Sequence, residues 1–312
     1  MAFDRVFDQS IILFLLIIIG FIARKRNIVT DEVIKGFSDF VLKVTLPLFI
    51  IVSMDKEFSK DKIVFSGLII GISVFTYLFK VFLSNIFIKY TEPLDIQKGV
   101  YRFLIIFSNA GFMGYPISYA VYGEDGIFYA AMLNISYNVL VWTLGVKLLS
   151  TRKDKEGNGF KELMSNPGII GVIIGLILFS TPLTLPKLLF EPMNMVGSMT
   201  TPMAMIVVGG ILGGTKIGNA FKNKKLILAS IIRLLFIPLF ILLVLLPFNL
   251  PKIVLGITVI IDAMPCAANT AIFARKYDAD YSLASQGVFL STLMNVVTTP
   301  LVLYIFIKFV GV

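Results

Sequence analysis

The sequence predicts an all-α membrane protein whose ten transmembrane helices form two inverted five-helix repeats, with the fourth and ninth helices broken. Three observations carry that expectation. The 312 residues are 57% hydrophobic and 15% charged, with a mean hydropathy of +0.90, whereas about a quarter of a soluble domain is charged. The apolar residues fall into runs near the length of roughly 20 needed to cross a bilayer. An ordered set of unusual residues in the first half of the chain also recurs in the second.

Taken in order, the runs cover approximately residues 9–24, 35–53, 62–88, 99–121, 126–149, 163–180, 193–214, 224–246, 252–274 and 282–309. Polar loops separate most of them, and the longest, 150–162, divides the chain into a first repeat at 1–149 and a second at 163–312. The first run follows Asp4 and Asp8 and precedes Arg24-Lys25-Arg26. That order is the reverse of a signal peptide's basic leader, so the run reads as a retained span.

Basic residues set the orientation. With the N-terminus outside, the inside loops hold Arg24, Lys25, Arg26, Lys35, Lys89, Lys98, Arg102, Lys147, Arg152, Lys153, Lys155, Lys161, Lys216, Lys222, Lys224, Lys225, Arg275 and Lys276. The outside segments hold Arg5, Lys56, Lys60, Lys62, Lys187, Lys252 and Lys308. The excess of cations on one side predicts a multi-pass protein of the cell membrane with both termini outside. Ten spans, an even number, agree with that.

The repeat shows in three matched features. Val44-Thr45-Leu46-Pro47 in span two parallels Met199-Thr200-Thr201-Pro202 in span seven; Lys80 in span three parallels Arg233 in span eight; and helix-breaking stretches, residues 107–117 and 262–270, occur in spans four and nine. Each half has five spans, an odd number, so the second copy enters the membrane from the opposite side. Lys43, also deep in its run, has no counterpart.

The breaks read as the functional centre. Gly111 and Gly114 weaken span four, and Pro116 removes a donor there; Pro265, followed by Ala267 and Ala268, does the same to span nine. Within hydrocarbon, backbone groups freed in this way need protein or water partners, so two breaks imply a polar cavity. Half-helix N-termini with free N–H groups suit a carboxylate, and Asn109 and Asn269 add neutral donors and acceptors. Either asparagine could instead bridge helices, as could Asn134, Asn138 and Asn295. Asp262 is the one deeply placed acidic residue, a candidate for binding a cation or exchanging a proton. The alternative for Asp262 is a structural ion pair with Lys80 or Arg233. For those two cations the alternative is a side chain that reaches back to the interface.

Composition also excludes functions. With no histidine and one cysteine, Cys266, there is no disulfide within the chain, no Cys/His metal site and no histidine-based triad. A single deep carboxylate does not make an aspartyl protease dyad, and without a P-loop the chain cannot bind ATP by that motif. No enzyme, cofactor or nucleic-acid partner is expected. The formal charge of +9 belongs to orientation-setting loops.

The run Ser108-Asn109-Ala110-Gly111-Phe112-Met113-Gly114-Tyr115-Pro116-Ile117, followed by Tyr122-Gly123, resembles the auxin efflux carrier family, including its bacterial malate-permease-like members. Ala263-Met264-Pro265, with Phe273-Ala274-Arg275-Lys276-Tyr277 after it, is similar to that family's ninth span. The resemblance implies that spans four and nine cross at their breaks, an architecture similar to sodium/proton antiporters and bile-acid symporters. It implies a scaffold domain of spans 1, 2, 6 and 7 that forms a homodimer, and a transport domain of spans 3–5 and 8–10. It further implies alternating-access transport of a small organic anion: a mono- or dicarboxylate such as malate or malonate, or an auxin-like acid. Ser108 stands where plant exporters often have proline, and the central loop is short, which sets auxin itself apart.

Substrate-binding candidates are thus Asn109, Ala110, Gly111, Pro116, Pro265, Asn269 and Lys80. Asp262 is the candidate for proton or sodium coupling, and Asn138, Asn295 and Arg233 are secondary. Rival readings are a cation/proton antiporter, a sodium-coupled bile-acid-type symporter, a channel or a membrane sensor.

Overall fold

A computed structural model describes residues 2–150, 164–181, 183–214 and 220–311, and these residues are mostly helical with no β-strand among them. The helices are α1 (Ala2–Lys25), α2 (Asp31–Met54), α3 (Lys60–Thr91), α4 (Asp95–Ile106), α5 (Ala110–Leu149), α6 (Pro167–Ser180), α7 (Lys187–Gly214), α8 (Lys224–Phe248), α9 (Lys252–Ala263), α10 (Thr270–Lys276) and α11 (Tyr281–Val310). Six of them, α2, α3, α5, α7, α8 and α11, are long and apolar enough to cross a membrane. Beyond Ser150, the expected linker at 150–162 lies outside the described residues, as do Lys161 and Lys216.

Local chemistry explains several helix boundaries. Thr30 accepts a hydrogen bond from the Val33 N–H at the start of α2, Asn166 from Gly168 and Ile169 at the start of α6, and Asn223 from Leu226 at the start of α8. Each satisfies donors that a helix N-terminus leaves open. The helical trace of α5 is interrupted at Gly123, whose φ of 61° and ψ of −143° are accessible to glycine. Spans four and five of the sequence reading meet at that point.

Proline leaves a repeated signature. Wide π-type turns at Val41–Thr45, Ala110–Gly114 and Ile232–Phe236 each end two residues before a proline, Pro47, Pro116 or Pro238. A proline ring collides with the carbonyl four residues back. Those carbonyls belong to Lys43, Phe112 and Leu234, the central residue of each π-turn, and the wider turn makes room for the ring.

Two compact units are distinguished. The first comprises Met1–Ile70, Gly111–Ile135 and Lys161–Gly214. Glycines let its helices approach closely: a methyl group on Gly209 of α7 would lie 2.0 Å from the Ile17 carbonyl of α1, and one on Gly20 of α1 would lie 2.2 Å from the Ile206 carbonyl of α7. Gly171 of α6 and Gly197 of α7 face Pro47 and Phe49 of α2 in the same manner. The hydroxyls of Thr45 and Thr200, both fully buried, hydrogen-bond at 2.8 Å. At one edge Lys56 lies 3.2 Å from Glu124 and 2.9 Å from Asp125, while Lys62 lies 3.0 Å from Asp125. Burial tends to lower the Lys56 pKa, but the Asp125 and Glu124 carboxylates outweigh it and hold the ammonium above its usual value. Lys43 is exposed and pairs with Asp39 at 3.1 Å.

The second unit comprises Gly71–Ala110, Ser136–Phe160 and Thr215–Val312. Its core gathers the end of α4, the break after it, α8, α9 and α11. This unit contains the polar centre described next.

Candidate functional site

Two helices of the second unit stop in the middle of apolar sequence. Helix α9 ends at Ala263 because Met264 precedes a proline, which pushes it out of the helical region to φ −68° and ψ 151°. Helix α4 ends at Ile106, and Phe107 is extended at φ −101° and ψ 118°. The two extended stretches meet as an antiparallel bridge between Ser108 and Cys266. Asn109 N–H donates to the Pro265 carbonyl at 2.8 Å, and Ala267 N–H donates to the Phe107 carbonyl at 3.0 Å. Each break therefore supplies partners that the other needs where the backbone is buried. The chain becomes helical again at Ala110 and at Thr270.

The first break falls earlier than the glycines suggested. Gly111 and Gly114 lie in the π-turn that follows it, and Pro116 is in the first turn of the succeeding helical stretch. A methyl group on Gly111 would touch only Leu42 Cδ2, at 3.8 Å, so no close approach demands glycine there. Gly111 and Pro116 belong to the first unit. Asn109, Ala110, Lys80, Asp262, Pro265, Asn269, Asn138, Asn295 and Arg233 belong to the second.

Charged side chains surround the crossing. Lys80 Nζ donates to Asp262 Oδ1 at 2.8 Å, and the two side chains are 1% and 2% exposed. The ammonium also lies 3.7 Å from the centre of the Tyr77 ring, a cation–π arrangement. Asp262 Oδ2 has no hydrogen-bond partner among the described residues. Of the two readings of Asp262, the ion pair with Lys80 is present; it holds a carboxylate with one oxygen still open to a donor.

Arg233, 1% exposed, turns inward instead of reaching for an interface. Its Nε donates to the Met264 carbonyl at 3.3 Å, Nη1 to Ile105 at 3.3 Å and Nη2 to Ile261 at 3.5 Å. One guanidinium thus binds the C-terminal ends of both half-helices, where the backbone dipoles leave partial negative charge. Asn295, fully buried, acts on the same end of α9 by donating to the Ala263 carbonyl at 2.9 Å.

The remaining candidates are less tightly drawn in. Asn109 is 4% and Asn138 6% exposed. Asn269 is half-buried at the start of α10 and accepts from the Tyr137 hydroxyl at 3.5 Å. Asn134 lies in the first unit, where its amide donates to the Tyr115 hydroxyl at 3.1 Å. Sequence reasoning missed Tyr77, although it lies three residues before Lys80 and so shares its helical face. It also missed Ser291, which accepts from Cys266 N–H at 3.3 Å and lies 2.9 Å from the thiol. Ser291 lies one turn from Asn295 on the same face of α11, a periodicity that could have linked them.

Residues 5–303 match the family model described as "Membrane transport protein". An uncharacterized transporter of Methanocaldococcus jannaschii is 23% identical over 94% of this chain and 96% of its own length. The uncharacterized transporter YfdV of Escherichia coli is 21% identical over 93% of this chain and 94% of its own length. The chain also aligns with 37% of a mouse protein named "Lysosomal cholesterol signaling protein", at 23% identity.

Proposed function

The chain belongs to the auxin efflux carrier family of membrane transport proteins, and on that premise we propose that it is a secondary active transporter of a small organic anion, a mono- or dicarboxylate, held where spans four and nine cross. The observation that carries the reading is the reciprocal backbone pairing of two broken helices inside an apolar unit, Asn109 N–H to Pro265 and Ala267 N–H to Phe107. Discontinuous helices of this kind place dipole ends and free backbone groups at a substrate. The N-terminal ends after each break, together with Asn109 and Asn269, are suited to receive a carboxylate. Ala110 and Pro265 shape the approach, and Lys80 supplies positive charge.

Asp262 is the coupling residue in this reading. Its open Oδ2 beside a paired Oδ1 lets it gain a proton or a cation ligand without first leaving Lys80. That observation also keeps a cation/proton antiporter in view as the second reading. Cation sites built by proteins usually gather several oxygens, and here one carboxylate faces two cationic side chains.

The wider frame follows from the same family. Ten spans in two inverted repeats, both termini outside, a dimerising scaffold of spans 1, 2, 6 and 7 and a transport domain of spans 3–5 and 8–10 complete the proposal. The Thr45–Thr200 hydrogen bond supports the repeat, since equivalent residues close to a two-fold axis meet each other. The reciprocal pairing of the breaks has the same form.

The test is uptake of radiolabelled malate and malonate by proteoliposomes containing the purified protein. Saturable uptake, inhibited by other carboxylates and slowed by Asn109→Ala, is expected. Uptake linear in concentration would instead indicate a channel, and uptake of sodium or protons with no carboxylate dependence would favour the antiporter.

A further inference from the structure

Three carbonyls converge on Arg233, and they come from both half-helices. Ile105 lies at the end of α4, Ile261 at the end of α9, and Met264 in the break beyond it. A helix C-terminus carries about half a negative charge. Two of them together balance one monovalent cation, and the guanidinium is that cation. Among the described residues Arg233 forms no ion pair with a carboxylate; Asp262, already paired with Lys80, attracts it only at longer range, and its direct partners are the three carbonyls. A small cavity beside the guanidinium is lined by Leu104, Ala229, Ser230, Cys266, Gly287 and Ser291, two of which bring hydroxyl oxygens.

Carbonyls at the C-terminal ends of interrupted helices are the groups with which secondary transporters coordinate sodium. We propose that Arg233 is a built-in cation occupying what would otherwise be an alkali-metal site at the crossing, so that this protein takes no sodium there. The inference rests on the transport reading for its consequence, which is a cycle independent of sodium at this site. Its physical content concerns cation binding alone. Truncating the side chain exposes a vacant, oxygen-lined site with the charge of one missing cation, and that site accepts a free guanidinium ion first and sodium second. Guanidinium ranks first because its planar fork restores the three donated hydrogen bonds.

Two measurements on the full-length protein in detergent, with no substrate added, test this. For the wild type, melting temperature and binding of radioactive sodium are compared in sodium, potassium and N-methylglucamine chlorides at equal ionic strength. No sodium-specific stabilisation and no stoichiometric sodium binding are expected; either one overturns the proposal. For Arg233→Ala, guanidinium at about ten times its dissociation constant raises the melting temperature by about 2–4 °C and leaves the wild type unchanged. A folded Arg233→Ala protein that responds to neither guanidinium nor sodium also overturns it. Should that variant fail to fold, Arg233→Gln keeps two donors, removes the charge and is expected to acquire a sodium response; indifference to sodium counts against the proposal. None of these measurements depends on which solute is carried, so absence of carboxylate uptake would refute the transport reading and leave the cation site standing.

Discussion

The Lys80–Asp262 pair makes a quantitative prediction because its two members are not equally supported. Breaking a buried pair by removing one partner costs about 3–5 kcal/mol, since the other charge stays buried without compensation. In Asp262→Asn, Lys80 keeps the Tyr77 ring 3.7 Å away, an interaction of about 2 kcal/mol when desolvated, and the asparagine carbonyl still accepts from it. In Lys80→Met, the carboxylate loses its Oδ1 donor, and Oδ2 already lacks one. The first loss belongs near about 3 kcal/mol and the second near about 5 kcal/mol. Replacing both residues, as Lys80→Met with Asp262→Leu, removes the uncompensated charge and is expected to recover most of the loss.

Apparent melting temperature at a fixed scan rate, in detergent, is the appropriate assay, because unfolding of such proteins is commonly irreversible. At about 2 °C per kcal/mol for a chain of this size, the expected order is wild type, then the double variant, then Asp262→Asn, with Lys80→Met lowest. Losses that simply add in the double variant would refute the pairing energy. If Asp262→Asn proved the more damaging single change, the contribution assigned to Tyr77 would be wrong.

Other predictions follow from single contacts. Gly209→Ala places a methyl group 2.0 Å from the Ile17 carbonyl; the backbone cannot yield cheaply, and a loss of about 1–3 kcal/mol is expected as a lower melting temperature. Asn295→Leu leaves the Ala263 carbonyl without its 2.9 Å donor, a loss of about 1–3 kcal/mol that Asn295→Gln would restore only if its longer chain reached the same oxygen. Lys56, raised above its usual pKa by Asp125 and Glu124 against the lowering effect of burial, contributes stability that is complete below about pH 10.4. That contribution disappears as pH climbs through the higher folded-state value. Wild type and Lys56→Met should therefore differ by about 1 kcal/mol or less at pH 8 and converge in alkaline scans; a gap that widened with alkali would contradict the assigned ion pairs.

Much of the helical layout was legible because its causes are local. Hydropathy located the helical runs, Pro265 located the end of α9 through its effect on Met264, and the depth of Lys80 and Asp262 in their runs marked both as costly charges requiring explanation. The stretch 107–117 marked the end of α4 as well, but its cause was not legible in the same way. Phe107, Ser108 and Asn109 are no stronger helix breakers than their neighbours, and the nearest obvious ones, Gly111, Gly114 and Pro116, lie downstream, where they shape a π-turn. Phe107 and Asn109 leave the helix because of hydrogen bonds to Pro265 and Ala267, far along the chain. For Arg233 the sequence left two directions open for a different reason: a hydropathy profile gives the depth of a side chain but not its direction. An arginine reaching for the surface and one gripping two helix ends therefore read alike.

Four backbone groups, the Phe107 and Pro265 carbonyls and the Asn109 and Ala267 N–H groups, pair with one another across the bridge. Each would cost about 1–3 kcal/mol if left unpaired in a buried site. Neither break is affordable alone, which is why both must be present before either can persist, and why Arg233 and Asn295 are placed on the carbonyls that the bridge does not reach. Two stretches from opposite halves of the chain thus form one structural element, and a substitution that straightens either helix is expected to strand the polar groups of both.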